Sequence, residues 1–375
     1  MKYSFAKNLI AAAALVGGIS QAKAELKLSS DSSLFFTVES SLAYNSNILL
    51  SNTGEKSDEV FDIAPGLLDT FGQGSNWQGQ VSFKEDFSEY FSNSRLNASL
   101  AIADFKSAYD DGTTKVDASA FFHQVDQATR DVRGGDALVH RNVSNADLSG
   151  ENAIDAKNSV KIGFSYDDTQ YQNSAYTSWQ QDQVFADYYF KIEPKLDLSA
   201  GLTYKDNQLG TGGINSTEYY YNIGARGEFS PKLSGEFSVG YNAFTLHGRS
   251  TQGGFGLESK FTFAVDEKTS VFFGANNDNG YGADGGAYKN FGLNGGFVTA
   301  VSDQVKVGGQ LSYGRYGYTT EQRTDEFYQG QVSATYVLSR QISLTAAYAY
   351  AENSSTLSGA SFTDNILSIS AKFQF

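Results

Sequence analysis

The sequence predicts an all-β fold, a closed antiparallel transmembrane β-barrel of about 18 strands with short periplasmic turns and longer extracellular loops. Three observations carry this. Turn signals recur at an even spacing, apolar and polar residues alternate between them, and the chain opens with the pattern of a secretory leader.

The leader comes first in the chain. Lys2 and Lys7 give a short basic region, and Leu9 to Ile19 is an apolar stretch rich in Ala. Ala22-Lys23-Ala24 then puts small residues at the two positions a signal peptidase reads. The expected division is a signal peptide over residues 1–24 and an outer-membrane β-barrel over 25–375. The leader is too short, and wrongly flanked, for a membrane anchor. No Cys follows the cleavage site, so a lipid-anchored lipoprotein is not expected.

The remainder has no Cys, three Pro (Pro65, Pro194 and Pro231) and an abundance of Gly, Tyr and Phe. Without Cys, disulfide staples and thiol chemistry are excluded. No apolar run approaches the ~18 residues a spanning helix needs, and mean hydropathy is -0.35. Membrane insertion must therefore come from alternating strands. The net charge of -14 becomes -17 once Lys2, Lys7 and Lys23 leave with the leader. Such acidity repels nucleic acid and says nothing about fold.

The turns follow. They centre on 157, 194, 231, 267, 303 and 340, in steps of 36 or 37, as in Glu193-Pro194-Lys195 and Ser230-Pro231-Lys232. Fixed periodicity marks a repeated unit. Here each unit holds two alternating runs and a longer polar loop, the loops falling at 206–217, 246–253, 276–288, 318–326 and 351–362. Weaker turns lie at Asp110-Asp111-Gly112 and Gly72-Gln73-Gly74, and an extended loop is expected from Gln127 to Asn145. Nine hairpins result, hence ~18 strands, an even number as bacterial barrels require. The stretch Asn145 to Ala156 fits poorly, which leaves 16 strands as the alternative count.

Within a run the side chains alternate. Ile342, Leu344, Ala346, Tyr348 and Tyr350 oppose Ser343, Thr345, Ala347 and Ala349. Leu257, Phe261, Phe263 and Val265 oppose Glu258, Lys260 and Thr262. Period two over ~10 residues means strands with one apolar and one polar face. A soluble sandwich alternates too, but its strands are usually five or six residues long. Aromatics near strand ends on the apolar face, such as Trp77, Tyr219, Phe229 and Tyr348, suit the girdles of a membrane barrel. In the final run Ile369, Ala371, Phe373 and Phe375 alternate with Ser370, Lys372 and Gln374. This resembles the terminal strand that outer-membrane barrels present to their insertion machinery, with Phe373 and Phe375 as the signal.

The segments Asn222 to Gly235 and Leu196 to Tyr204, and the early Leu42-Ala43-Tyr44-Asn45-Ser46-Asn47-Ile48, resemble repeats of the putative beta-barrel porin 2 family. The resemblance covers most of the mature chain. It implies an outer-membrane barrel, and some members of that family are associated with exopolysaccharide export. It implies no catalytic residues.

Few residues suggest chemistry. Gly280-Tyr281-Gly282-Ala283-Asp284-Gly285 spells G-x-G-x-x-G, but no helical pattern follows, so a loop is expected rather than a nucleotide site. Asn276, Asn277, Asp278 and Asp284 could offer oxygens to Ca²⁺, without EF-hand spacing. His123, His140 and His247 are far apart, and His123 shares a polar face with Asp117 and Ser119, which suits a lumen-lining role better than a hydrolase. Asp126 to Arg141 carries mixed charge, expected as a solvated loop or as one folded into the barrel and tied to its wall by Arg–carboxylate pairs.

The alternation assigns Glu39, Asp86, Asp117, Asp167, Asp187, Asp197, Glu228, Glu236 and Glu258 to the lumen, with Lys84, Lys161, Lys191, Arg226, Lys260, Lys306 and Lys372. The wall is thus expected to be nearly balanced, with the excess negative charge in loops and turns that hold Asp278, Asp284, Glu321 and Asp325. The expected function is a passive pore for small hydrophilic solutes, since 16 to 18 strands leave an aqueous channel. No cofactor, metal or enzyme activity is expected. The partners would be outer-membrane lipid, the insertion machinery and permeating solutes. The alternative is a structural or exopolysaccharide-export barrel that works with partners.

Overall fold

A computed structural model describes residues 26–131, 138–319 and 321–375; Ala22 and Ala24 lie outside them. The strands are β1 (Leu26–Lys27), β2 (Ser32–Asn45), β3 (Asp58–Phe71), β4 (Trp77–Tyr90), β5 (Ala98–Asp110) and β6 (Thr114–Gln127). They continue as β7 (Val139–Ala153), β8 (Asn158–Tyr171), β9 (Trp179–Glu193), β10 (Leu196–Leu209), β11 (Ser216–Ser230) and β12 (Leu233–Leu246). The last are β13 (Gln252–Ala264), β14 (Thr269–Tyr281), β15 (Ala287–Ala300), β16 (Val305–Tyr318), β17 (Thr324–Val337), β18 (Ile342–Ser355) and β19 (Phe362–Gln374).

Every neighbour is antiparallel, and β19 pairs with β2, so β2 to β19 close an 18-stranded barrel on which β1 is a two-residue addition to β2. Closure removes the bare edges that lipid does not tolerate. At the seam, Phe36 and Phe375 exchange two backbone hydrogen bonds of 2.8 and 2.9 Å. Phe373 and Phe375 bury their rings beside Val38.

The expected short turns stand where the spacing put them. Aspartates fix several. In the turn between β5 and β6, the Asp111 carboxylate accepts from the Thr113 and Thr114 amides at 2.9 and 2.7 Å, and Gly112 takes φ +88, a conformation that disfavours a side chain. Asp155 and Asp266 cap the turns after β7 and β13 in the same manner.

The long loops are shorter than expected. Strands continue into every one, leaving 210–215, 247–251, 282–286, 319, 321–323 and 356–361 outside the sheet among the described residues. Between β6 and β7 the strand resumes at Val139, so Asn145 belongs to β7 and not to the loop. A tilted strand crosses the bilayer in 9–11 residues, and these barrel strands have 13 to 15. The surplus carries the wall beyond the lipid, where polar residues on both faces obscure the alternation.

The large exposed apolar side chains face outward, as with Leu311 at 72% and Ile369 at 65% exposure, with few polar residues such as Glu85 and Ser99 among them. Phe229, Phe237, Phe261 and Phe273 form a continuous aromatic row across β11 to β14. The inward face carries the ions.

Candidate functional site: the lumen and its extracellular constriction

Cross-strand register fixes which residues share the inner face. Glu39 lies opposite Lys372, with β3 between it and Lys84, and its carboxylate binds both, at 2.9 and 2.7 Å. Asp86 follows Lys84 inward on β4, and one of its carboxylate oxygens has no partner among the described residues. Asp117 faces Ala108 beside Gln78 and Ser149. Asp167 accepts from Asn145 at 3.0 Å. Lys161 stands opposite Asp187, Lys191 opposite Asp197, Glu236 opposite both Arg226 and Lys260, Glu258 opposite Ser238, and Lys306 opposite Thr335. Glu228 sits apart at the periplasmic rim, bound to Lys195 at 2.7 Å.

The inner wall is more acidic than the expected balance. It also holds Asp62, Asp104, Asp147, Glu151 and Glu218, against Lys106, Lys115 and Lys205 as further bases. Asp278 and Asp325, expected in loops, lie within β14 and β17. Several of these residues were missed, for separate reasons. Asp104 and Asp147 stand in runs whose apolar face is weak, Asp62 shares its inner face with the apolar Val60, Ala64 and Leu68, and Lys205, Glu218 and Asp278 adjoin or fall within segments that read as loops. His123 bonds Asp104 at 3.0 Å and stacks on Phe121, while Ser119 donates instead to Asp147.

Two groups cross the interior. Arg226 on β11 binds Glu151 on β7, with Nη1–Oε2 at 2.8 Å, and also Asp197 on β10 at 3.2 Å. Its guanidinium stacks 3.4 Å above the Tyr189 ring. Strands four apart in the barrel make such a contact only through the lumen. The second crossing is a hairpin. The β13–β14 ladder ends at Leu257 and Asn277, yet β14 continues to Tyr281 against β15. Above that point β14 parts from β13, and the β14–β15 hairpin, with β15 still paired to β16 as far as Tyr288 and Tyr318, leans inward on β10, β11 and β12. Lys205 donates to Asp278 at 2.7 Å, Asn279 to Glu218 at 3.1 Å, and Tyr281 shares a hydrogen bond with Ser216. Tyr281 and Ala287 also pack with Phe244 and Leu246, an apolar contact that holds the hairpin in place. The G-x-G-x-x-G segment forms its tip, and the carbonyl of Ala283 accepts from the Thr177 amide of the β8–β9 loop at 2.8 Å.

A second inward element meets this hairpin. At the start of the β6–β7 loop, Arg130 stacks 3.3 Å above the Tyr316 ring, and Asp131 accepts from Tyr318 Oη at 2.7 Å. Arg323 donates to the Arg130 carbonyl and to Asp325 at 3.2 and 2.6 Å. Of the expected Arg–carboxylate ties, the described residues show one between loop and wall, Arg130 Nε to Asp325 at 3.9 Å; the other contacts are a ring stack, a tyrosine hydroxyl and a backbone carbonyl, and Arg133 and Asp136 lie outside the described residues. Together the hairpin and the first residues of that loop, 128–131, narrow the extracellular mouth.

A closed 18-stranded wall, apolar outside and ionic inside, with inward-folded loops at one mouth, defines an outer-membrane β-barrel protein. The family profile named Putative beta-barrel porin 2 matches residues 34–375, and the chain belongs to that family. Among solved structures, the outer membrane protein OpdK from Pseudomonas aeruginosa is similar at 11% identity and a TM-score of 0.50, over 91% of this chain and 99% of that one. OccK9 (OpdG) from the same organism is similar at 12% identity and a TM-score of 0.50, over 92% and 99%. At these identities the likeness is one of fold. No curated protein matches the sequence.

Proposed function

We propose that the protein is a passive pore for small hydrophilic solutes, constricted at its extracellular mouth by the β14–β15 hairpin and the β6–β7 loop. The single observation behind this reading is the continuous inner face of paired acids and bases, such as Glu39 with Lys84 and Lys372. Ionic groups facing one another across an interior need water, and an 18-stranded barrel has room for it. Solutes would diffuse along this wall, with the constriction setting the size limit. The reading needs no bond-making chemistry. The leader over residues 1–24 would be removed after Ala24 during export.

The test is single-channel recording of the purified protein in planar bilayers. Ohmic steps in plain salt are the expected result. Silent membranes, with the barrel shown intact by its shifted mobility on an unheated detergent gel, would sink the pore.

A further inference from the structure

Beneath the inward hairpin lies a cavity of about 360 Å³, lined by Lys205, Glu218, Tyr220, Asn242, Glu258 and Asp278 among others. Its volume falls at the lower end of the range for small-molecule sites, about 300–1,000 Å³. Three carboxylates face one lysine. Lys205 occupies part of the site already: its ammonium lies 2.7 Å from Asp278 and 3.7 Å from Glu218. Glu258 is exposed to the lumen and accepts no hydrogen bond among the described residues.

A second observation points to a ligand with donors. Asn242 is 6% exposed, and its Nδ2 donates to Glu218 at 2.6 Å, but its carbonyl oxygen has no partner among the described residues. Asn277, also in the lining, has a side-chain oxygen in the same condition. A buried acceptor left unmatched is costly, by ~1–3 kcal/mol in general. The lining therefore offers oxygen acceptors and negative charge in excess of its own donors. Tyr220 adds an aromatic wall within cation–π reach of a flat or alkyl cation.

We propose that this cavity binds an organic cation bearing ammonium or guanidinium groups, and that Lys205 is a tethered stand-in which an incoming cation displaces from Asp278 and Glu218. The proposal rests on the pore reading and names the solute class that the constriction selects. A neutral polyol would leave the carboxylate excess uncompensated, and an anion would be repelled by it.

Agmatine, which carries both cationic groups, is the probe. Calorimetric titration of the detergent-solubilised barrel should show saturable binding that glucose and acetate do not reproduce. Glu258→Gln, at a lumen-exposed position that folding tolerates, should weaken binding about tenfold. Lys205→Met should tighten it, because the competing ammonium is gone. Agmatine added to an open channel should interrupt the current, and Glu258→Gln should shorten the blocks. Open channels with no agmatine binding, or affinity unmoved by Glu258→Gln, would overturn the site and leave the pore standing. Binding with the expected variant pattern in a protein that never conducts would support the site and overturn the pore.

Discussion

Arg226 and Glu151 stand 75 positions apart in the chain, yet the guanidinium of one and the carboxylate of the other join two walls of the barrel at 2.8 Å. Asp197 and the Tyr189 ring hold the same guanidinium from its other sides. The pair acts as a chord across β8, β9 and β10. Replacing Arg226 by Met or Glu151 by Gln leaves a charge without its partner. Full burial would make this cost 3–5 kcal/mol, and lumen water reduces it to about 1–3 kcal/mol. The midpoint of the heat-induced mobility shift on detergent gels should fall in each single variant. The double variant should lose less than the sum, because the two residues act on each other. Equal and additive losses would show that the chord carries no coupling.

The stack of Arg130 on Tyr316 ties the β6–β7 loop over the mouth. A contact of this kind contributes ~0.5–2 kcal/mol. Tyr316→Ala should release the loop on a larger fraction of encounters, giving higher mean conductance and more current noise in bilayers. Asp131→Asn, which keeps the hydrogen bond with Tyr318 but removes a charge, should change the noise far less. Identical traces for wild type and Tyr316→Ala would mean that the loop does not limit flow.

The acidic excess of the inner wall predicts a weak preference for cations. Asp62, Asp104, Asp147 and Glu151 add to it along the wall, and Asp278 at the constriction. Fixed charge raises the local concentration of counter-ions, and salt screens it over about 10 Å at 0.1 M. The reversal potential across a salt gradient should therefore show cation selectivity that fades as ionic strength rises. Anion selectivity, or a preference that ignores salt, would contradict the inward placement of these acids.

The periplasmic turns should make stability depend on pH. Asp155 accepts from the Lys157 amide and from Asn158, which hold its carboxyl below the usual carboxylate range. Asp266 is lowered in the same way by the Lys268 and Thr269 amides. A carboxyl depressed in the folded state stabilises it above the unfolded pKa, and that contribution disappears as pH falls through the folded value. Asp155→Asn should thus lower the unfolding midpoint at pH 7 and converge on wild type as pH falls through the depressed carboxyl value. A deficit that persists unchanged in acid would assign the effect to the turn's shape and not to its charge.

The barrel was legible because its signals are local. A turn such as Glu193-Pro194-Lys195 and ten residues of alternation report on themselves. What crosses the lumen was not. Nothing in the alternation of β7 or β11 says that Glu151 and Arg226 meet, since the distance depends on barrel circumference and tilt. β7 was obscure for a different reason. From Asn145 to Asn152 its outward residues are Ala146, Leu148, Gly150 and Asn152, so one large apolar side chain marks the lipid face. The end of β14 keeps period two while parting from β13, and period two cannot tell a strand paired on both sides from one leaning inside the barrel. Its glycines and asparagines therefore read as an ordinary loop.

The pairing of β19 with β2 has a further meaning for how the molecule comes into being. Asn47 donates to the Thr363 carbonyl 316 positions away, and Ser46 to Asp364 318 positions away. Contacts of that separation reward the chain only after nearly all of it has been ordered. Until β19 arrives, β2 keeps an uncovered row of amides and carbonyls, and every shorter version of the sheet has two such rows. The strands therefore have no stable partial assembly in lipid. They belong to one cooperative unit, in which β19 completes β2.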